Sequence, residues 1–145
     1  MLVKQILMSK ADGAVVTLAP GSSISDAARL IADKRIGAVV VSPDGKTVLG
    51  ILSERDIVTE LGRRGPSCLS DTVDAVMTKT PVTCTVDMVA DQILATMTEG
   101  RFRHMPVVGG DGKMVGLITL GDVIKARLME LSMEKDALEG MIMGH

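Results

Sequence analysis

Two seven-residue stretches carry residue types from which a binding site can be built. They are Gly50-Ile51-Leu52-Ser53-Glu54-Arg55-Asp56 and, 66 positions later, Gly116-Leu117-Ile118-Thr119-Leu120-Gly121-Asp122. Each begins as an apolar strand and turns into a helix at the hydroxyl residue. A carboxylate three residues after that hydroxyl falls on a neighbouring position of the same helix face. At this end of a helix the first backbone N–H groups have no intrahelical partner and the macrodipole is positive. The corner can therefore hold a phosphate on its N–H groups and hydroxyl, while the carboxylate accepts bonds from sugar hydroxyls. The same spacing is also a helix capping box, in which Ser53 or Thr119 caps and Asp56 or Asp122 bonds back. A cap alone needs no echo, whereas a duplicated module with a duplicated site predicts one.

The elements around the two corners repeat as well. Val3, Ile6 and Leu7 fit one face of a short helix, residues 9–13 form a loop, and residues 14–17 are extended. Ser22 or Ser23 caps a helix with Ile24, Ala27, Ala28, Leu30 and Ile31 inward. The strand Ala38-Val39-Val40-Val41 and a strand at 48–52 are joined by the turn Pro43-Asp44-Gly45-Lys46, and Ser53 opens a helix to about residue 61. Gly62-Arg63-Arg64-Gly65-Pro66-Ser67 reads as a linker, after which the order restarts. In the second copy a short helix carries Val73, Val76 and Met77, Pro81-Val82-Thr83-Cys84 is the first strand, and a helix spans about 87–99. Strands at 104–108 and 114–118 complete it. Thr17 falls on Thr83, Arg35 on Arg101 and Asp56 on Asp122 at the offset of 66, but the two short first helices align differently, Val3 on Val73. The expected organisation is a first repeat at 1–62, a linker at 63–70, a second repeat at 71–131 and a helical extension at 132–145. Each repeat is small enough to need its twin to bury sufficient surface.

Composition narrows the function classes. With 145 residues, 46% apolar, the chain has material for one shared core. One aromatic residue, Phe102, stands against eleven methionines, which read as core and adaptable surface. A formal charge of −2 and the lack of Trp and Tyr argue against nucleic-acid binding. No apolar run is long enough for a membrane span, and the first ten residues are too short in apolar length for a signal peptide. Cys68 and Cys84 have no metal-site spacing and read as free thiols of a cytoplasmic protein.

The duplicated Gly-apolar-apolar-Ser/Thr-x-x-Asp motif, the run Arg103-His104-Met105-Pro106-Val107-Val108 and the duplicated element order make the chain resemble a tandem pair of CBS domains (a Bateman module), of the small stand-alone bacterial kind. The resemblance covers essentially the whole chain. It implies an α/β (α+β) fold of two βαββα repeats packed as a pseudo-two-fold pair, here with a long C-terminal helix. It also implies two clefts for adenosine-containing ligands, AMP first, with ATP, ADP, NAD(H) or S-adenosylmethionine as further candidates. Carried over, Asp56 and Asp122 accept from ribose hydroxyls, and Ser53 and Thr119 contact phosphate or ribose. Thr17 and Thr83 line the adenine or phosphate end. Arg103 and His104, with Met105 and Pro106 beside them, supply phosphate contacts.

The first copy has Gly37 and Ala38 where the second has Arg103 and His104. The clefts are therefore expected to be unequal, with Thr119, Asp122, Arg103 and His104 grouped in the phosphate-binding one, unless cations reach across from one repeat to the other. Lys34 and Arg35 either substitute in the first copy or form a solvated helix end, where cations are favoured.

The function implied is a regulatory sensor of an adenine nucleotide that signals to an unidentified partner protein. Two rivals differ in class. An enzyme needs a nucleophile with a base or a metal cluster, and the chain offers only His104 and His145 with no suitable spacing, so neither catalytic nor metal residues are assigned. A ligand-free interaction scaffold would use both corners as caps alone. The apolar stripe of the last helix, with Leu131, Met133, Leu138, Met141 and Ile142, predicts a homodimer.

Overall fold

The computed structural model describes residues 1–10 and 13–144. Ala11 and Asp12, inside the expected loop 9–13, and His145 lie outside the described residues. The elements are α1 (Val3–Ser9), β1 (Thr17–Leu18), α2 (Ile24–Lys34), β2 (Ala38–Val41), β3 (Gly50–Ser53) and α3 (Glu54–Arg64). Two 3-10 turns (Pro66–Ser70 and Val73–Ala75) then lead into β4 (Thr78–Lys79), α4 (Ala90–Gly100), β5 (His104–Val108), β6 (Met114–Thr119) and α5 (Leu120–Ile142). The fold is the expected mixed α/β pair with a long last helix, 23 residues in α5 against 11 in α3.

Strand periodicity builds three layers of packing. Val39, Val41 and Leu52 pack with Ile24, Ala27 and Ile31 of α2 and Ile57 of α3. The opposite faces of the same strands, Ala38, Val40 and Ile51, pack on Met114 and Leu117 of β6. A strand covered on both faces reads as an unbroken apolar run, which is what residues 38–41 are. In the second half Met105, Val107 and Ile118 pack with Ile93 and Met97 of α4 and Val123 of α5. The first sheet has the order β1-β2-β3-β4, with β1 parallel to β2 and the other pairs antiparallel. The second is the antiparallel pair β5-β6. A backbone bond from Met114 N to Lys46 O at 2.7 Å ties the halves together.

The short first helices are exchanged between the halves. Val3 and Ile6 of α1 lie in the core of α4, β5, β6 and α5, while Val73 of the second 3-10 turn lies in the core of α2, β2 and β3. The backbone bonds are reciprocal. Val3 N donates to Met88 O at 2.8 Å and Ala90 N to Met1 O at 2.9 Å; in the other half, Val73 N donates to Ser22 O at 2.8 Å and Ile24 N to Asp71 O at 2.9 Å. The motif glycines make room for the crossing. A Cβ on Gly50 would stand 2.5 Å from Met77 Sδ and 2.9 Å from Thr78 O, and one on Gly116 would stand 2.9 Å from a methyl of Leu7.

Several boundaries follow from this exchange. The helix expected from residue 87 begins at Ala90, because Val86 O and Met88 O receive the N–H groups of Lys4 and Val3. Its start has no capping hydroxyl; Gln92 Oε1 accepts from Val89 N instead. The strand expected at 81–84 contracts to one parallel bridge, Cys84 to Val107, and an additional strand, β4, pairs with β3. The stretch expected as a linker is structured: α3 runs through Arg64, whose guanidinium pairs with Glu60 and Asp71, and Cys68 is buried in the 3-10 turn that follows.

Candidate functional site

Both corners are formed as capping boxes. Ser53 Oγ accepts from Asp56 N at 3.2 Å, and Asp56 Oδ2 accepts from Ser53 N at 2.9 Å. Thr119 Oγ1 accepts from Asp122 N at 3.1 Å, and Asp122 Oδ2 accepts from Thr119 N at 2.9 Å. Capping and ligand binding are compatible, because a carboxylate has two oxygens and several acceptor sites. Among the described residues Asp56 Oδ1 has no hydrogen-bond partner.

Each corner opens onto a cleft completed by the other half. The first, of about 670 Å³, is lined by Ser53, Arg55 and Asp56 on one side, residues 78 and 80–82 on another, and Arg101, Phe102, Arg103 and His104 on the third. The second, of about 500 Å³, is lined by Thr119 and Leu117, by Lys10 and residues 13–16, and by residues 34–38 with His104. Both volumes suit a small organic ligand. Two of the wall segments, 80–82 and 14–16, correspond at the offset of 66. The three non-glycine residues with positive φ among the described residues, Arg35, Thr80 and Arg101, all line these clefts. Arg35 and Arg101 take this conformation as the left-handed C-caps of α2 and α4.

The grouping of Arg103 with Thr119 and Asp122 is corrected. Arg103 lines the cleft of Ser53 and Asp56. Its carbonyl accepts from Leu120 N at the head of its own repeat's helix, while its side chain faces the other repeat because the two sheets pack face to face. By the same symmetry Lys34 and Arg35 reach the cleft of Thr119. Other expected contacts also move. Met105 and Pro106 are buried within β5, and Met105 packs on the α4–α5 core, so neither lines a cleft. Thr17 is paired with Val40 in β1 and Thr83 is exposed; the walls are instead made one to three residues earlier, before the chain enters its ladder. Asp122 is not part of the second cleft's wall, whereas Lys10, bonded to it at 2.9 Å, is. Lys10, residues 14–16 and residues 78–82 carry no motif of their own; only the offset of 66 relates the two walls.

His104 borders both clefts, and the position a Cβ would take on Gly37 lies 3.1 Å from its ring. Burial pushes its pKa down, with Glu54 and Asp122 opposing and Arg103 and Lys10 adding to the shift. A histidine held neutral in the fold is protonated first in the unfolded chain. Its contribution to stability is complete above the unfolded value of about 6.5 and is lost as pH falls towards the folded value. The urea midpoint of the protein is expected to fall between pH 7.5 and 5.5, and His104→Gln is expected to reduce that fall. Equal pH slopes for the two proteins would remove this role. Burial raises the Cys84 thiol to about 11, so it stays protonated at neutral pH.

Residues 3–63 and 73–129 each match the CBS domain family. The chain belongs to that family. A CBS-domain-containing protein of Agrobacterium tumefaciens is 42% identical, with a TM-score of 0.83 over 88% of this chain and 99% of that one. The CBS domain pair of MJ0100, in complex with 5′-methylthioadenosine and S-adenosyl-L-methionine, is 26% identical, with a TM-score of 0.74 over 91% and 98% of the two chains. CBSX2 in complex with AMP is 27% identical, with a TM-score of 0.71 over 88% and 96%. The Arabidopsis thaliana protein CBSCBSPB2 is 34% identical over 139 residues, and the match covers 95% of this chain but 24% of that protein. The chain thus spans about a quarter of several curated relatives. No helix among the described residues is long and apolar enough to cross a membrane.

Proposed function

We propose that this CBS pair is a regulatory binding module for an adenosine-containing ligand, AMP first, whose occupancy is relayed to a partner protein. One observation carries the reading. In the first cleft the carboxylate of Asp56, with an oxygen unused by its capping box, shares the lining of a cavity of about 670 Å³ with Arg101 and Arg103. Asp56 accepts from the ribose, the two arginines hold the phosphate, and residues 80–82 with Phe102 flank the base. Arg suits the phosphate end because its planar, permanently charged fork bonds two oxygens. The AMP complex of CBSX2 and the methylthioadenosine and S-adenosylmethionine complex of MJ0100 support the ligand class. ATP, ADP and NAD(H) share the adenosine recognition and differ in what they place beyond the first phosphate.

The reading makes the chain a binding module rather than an enzyme. A reducing cytoplasm is proposed with it, supported by the free thiols of Cys68 and Cys84. Thermal shift with millimolar AMP, ATP, NAD or S-adenosylmethionine tests it. A ligand at a hundredfold excess over its dissociation constant stabilises by about 2.7 kcal/mol, and no shift with any of the four would leave the scaffold reading. Assembly belongs to the same proposal. Val58 of α3 and its counterpart Ile124 of α5 are both exposed, and Leu128, Leu131, Leu138 and Ile142 extend that apolar surface along α5. A two-fold pairing through these helices covers it, and sedimentation at tens of micromolar should give a dimer; a 15.3 kDa monomer rules the pairing out.

A further inference from the structure

The two corners share a backbone but not the state of their carboxylates. Asp56 lines its cleft and has no cation within ion-pair distance among the described residues. Asp122 is covered. Lys10 Nζ lies 2.9 Å from Asp122 Oδ2 and donates to Leu117 O, also at 2.9 Å. Both side chains are largely withdrawn from solvent, at 26% and 22% exposure. Lys10 directly follows α1 and its N–H bonds back to Leu7 O, so the exchanged helix, anchored by Val3 and Ile6, holds the ammonium in place. At the offset that relates the exchanged segments, Val3 to Val73, the counterpart of Lys10 in the first cleft is the uncharged Thr80.

We propose that Lys10 is the residue that sets the specificity of the second cleft, as a tethered cation that lines the cleft in place of the carboxylate that would otherwise receive the ribose. This rests on the nucleotide reading above and deepens it: the chain takes one adenosine-containing ligand, in the cleft of Asp56. Lys10 and the Thr119 N–H share Asp122 Oδ2, but the lysine and not the carboxylate lines the cleft, so a ribose hydroxyl reaches Asp122 only past an ammonium held by a charge-assisted bond stronger than the neutral one it offers. The displaced ammonium also loses its bond to Leu117 O in a partly dry site, where an unmatched charge is costly. Thr119 remains on the wall, but its hydroxyl alone offers no charged acceptor to the sugar.

Calorimetry with AMP on the full chain tests this. Wild type is expected to bind one AMP per chain, Lys10→Met, which keeps the aliphatic stem, two, and Lys10→Met with Asp56→Asn one. Two sites in wild type, or one site in both wild type and Lys10→Met, overturns the proposal. In the latter case binding by wild type leaves the nucleotide reading standing. No binding by wild type with one site in Lys10→Met supports the covering of Asp122 and removes the reading of the first cleft. No binding by either protein overturns both. Should Lys10→Met fail to fold, wild type with its lysines methylated by 13C-formaldehyde and hydride decides. The Lys10 methyl resonance, assigned with Lys10→Arg, is expected to stay in place as AMP saturates, and its displacement from the Asp122 position overturns the proposal.

Discussion

Ile6→Ala is expected to cost about 2–5 kcal/mol of stability, the usual range for truncating a buried aliphatic side chain, and to loosen the second half of the chain first. Ile6 is 2% exposed and lies among Ile93, Met97, Val107 and Val123, although in sequence it belongs to the first repeat. The helix that bears it has seven residues, too few to persist unaided. Its place is fixed by Val3, Ile6 and the backbone bonds to Val86 O and Met88 O. Urea denaturation measures the loss, and amide hydrogen exchange locates it. Protection is expected to drop in α4, β5 and β6 before it drops in β2 and β3. The reverse order would return α1 to the first core.

The repeat architecture was legible because its signals are local. The apolar run at 38–41 reports a strand covered on both faces, and Ser53 and Thr119 form the caps that their spacing to Asp56 and Asp122 requires. What was not legible involves the choice between two equivalent destinations. Val3, Ile6 and Leu7 define an apolar helix face, but a face does not say which of two similar cores it fills. The trace of the exchange is the mismatch in offset, 70 for the first helices against 66 elsewhere, which on sequence alone reads as a change in loop length. The motif glycines belong to the same blind spot. Gly50 and Gly116 read as residues within strands, and their need for a missing Cβ appears only once Met77, Thr78 and Leu7 cross over them.

The site was half legible for a related reason. Ser53, Asp56 and Thr119 are placed by their own repeat's strand–helix junction, so a local motif locates them. Arg103 and Lys10 act on a junction supplied by a different part of the chain. Arg103 directly precedes a strand whose sheet faces the other repeat, and Lys10 is carried by an exchanged helix to a carboxylate 112 positions away. A lone lysine after a short helix has no sequence pattern that distinguishes it from a solvated one.

The crossing of Arg103 into the cleft of Asp56 gives a prediction with opposite signatures for two ligands. Asp56→Asn keeps an oxygen for Ser53 N, so the cap survives, but it removes the charged acceptor from the sugar end. It is expected to weaken AMP and adenosine alike, by about 1.5–3 kcal/mol for a hydrogen bond to a charged group, or about 10- to 150-fold in dissociation constant. Arg103→Ala is expected to weaken AMP by a comparable factor and to leave adenosine unchanged, because adenosine has no phosphate to lose. Asp122→Asn should alter neither affinity by as much as threefold, since its carboxylate is already engaged by Lys10. Calorimetry of the three variants with both ligands separates the terms. Equal losses of AMP and adenosine in Arg103→Ala would take the arginine off the phosphate. Loss of AMP in Asp122→Asn with retention in Asp56→Asn would move the ligand to the second cleft.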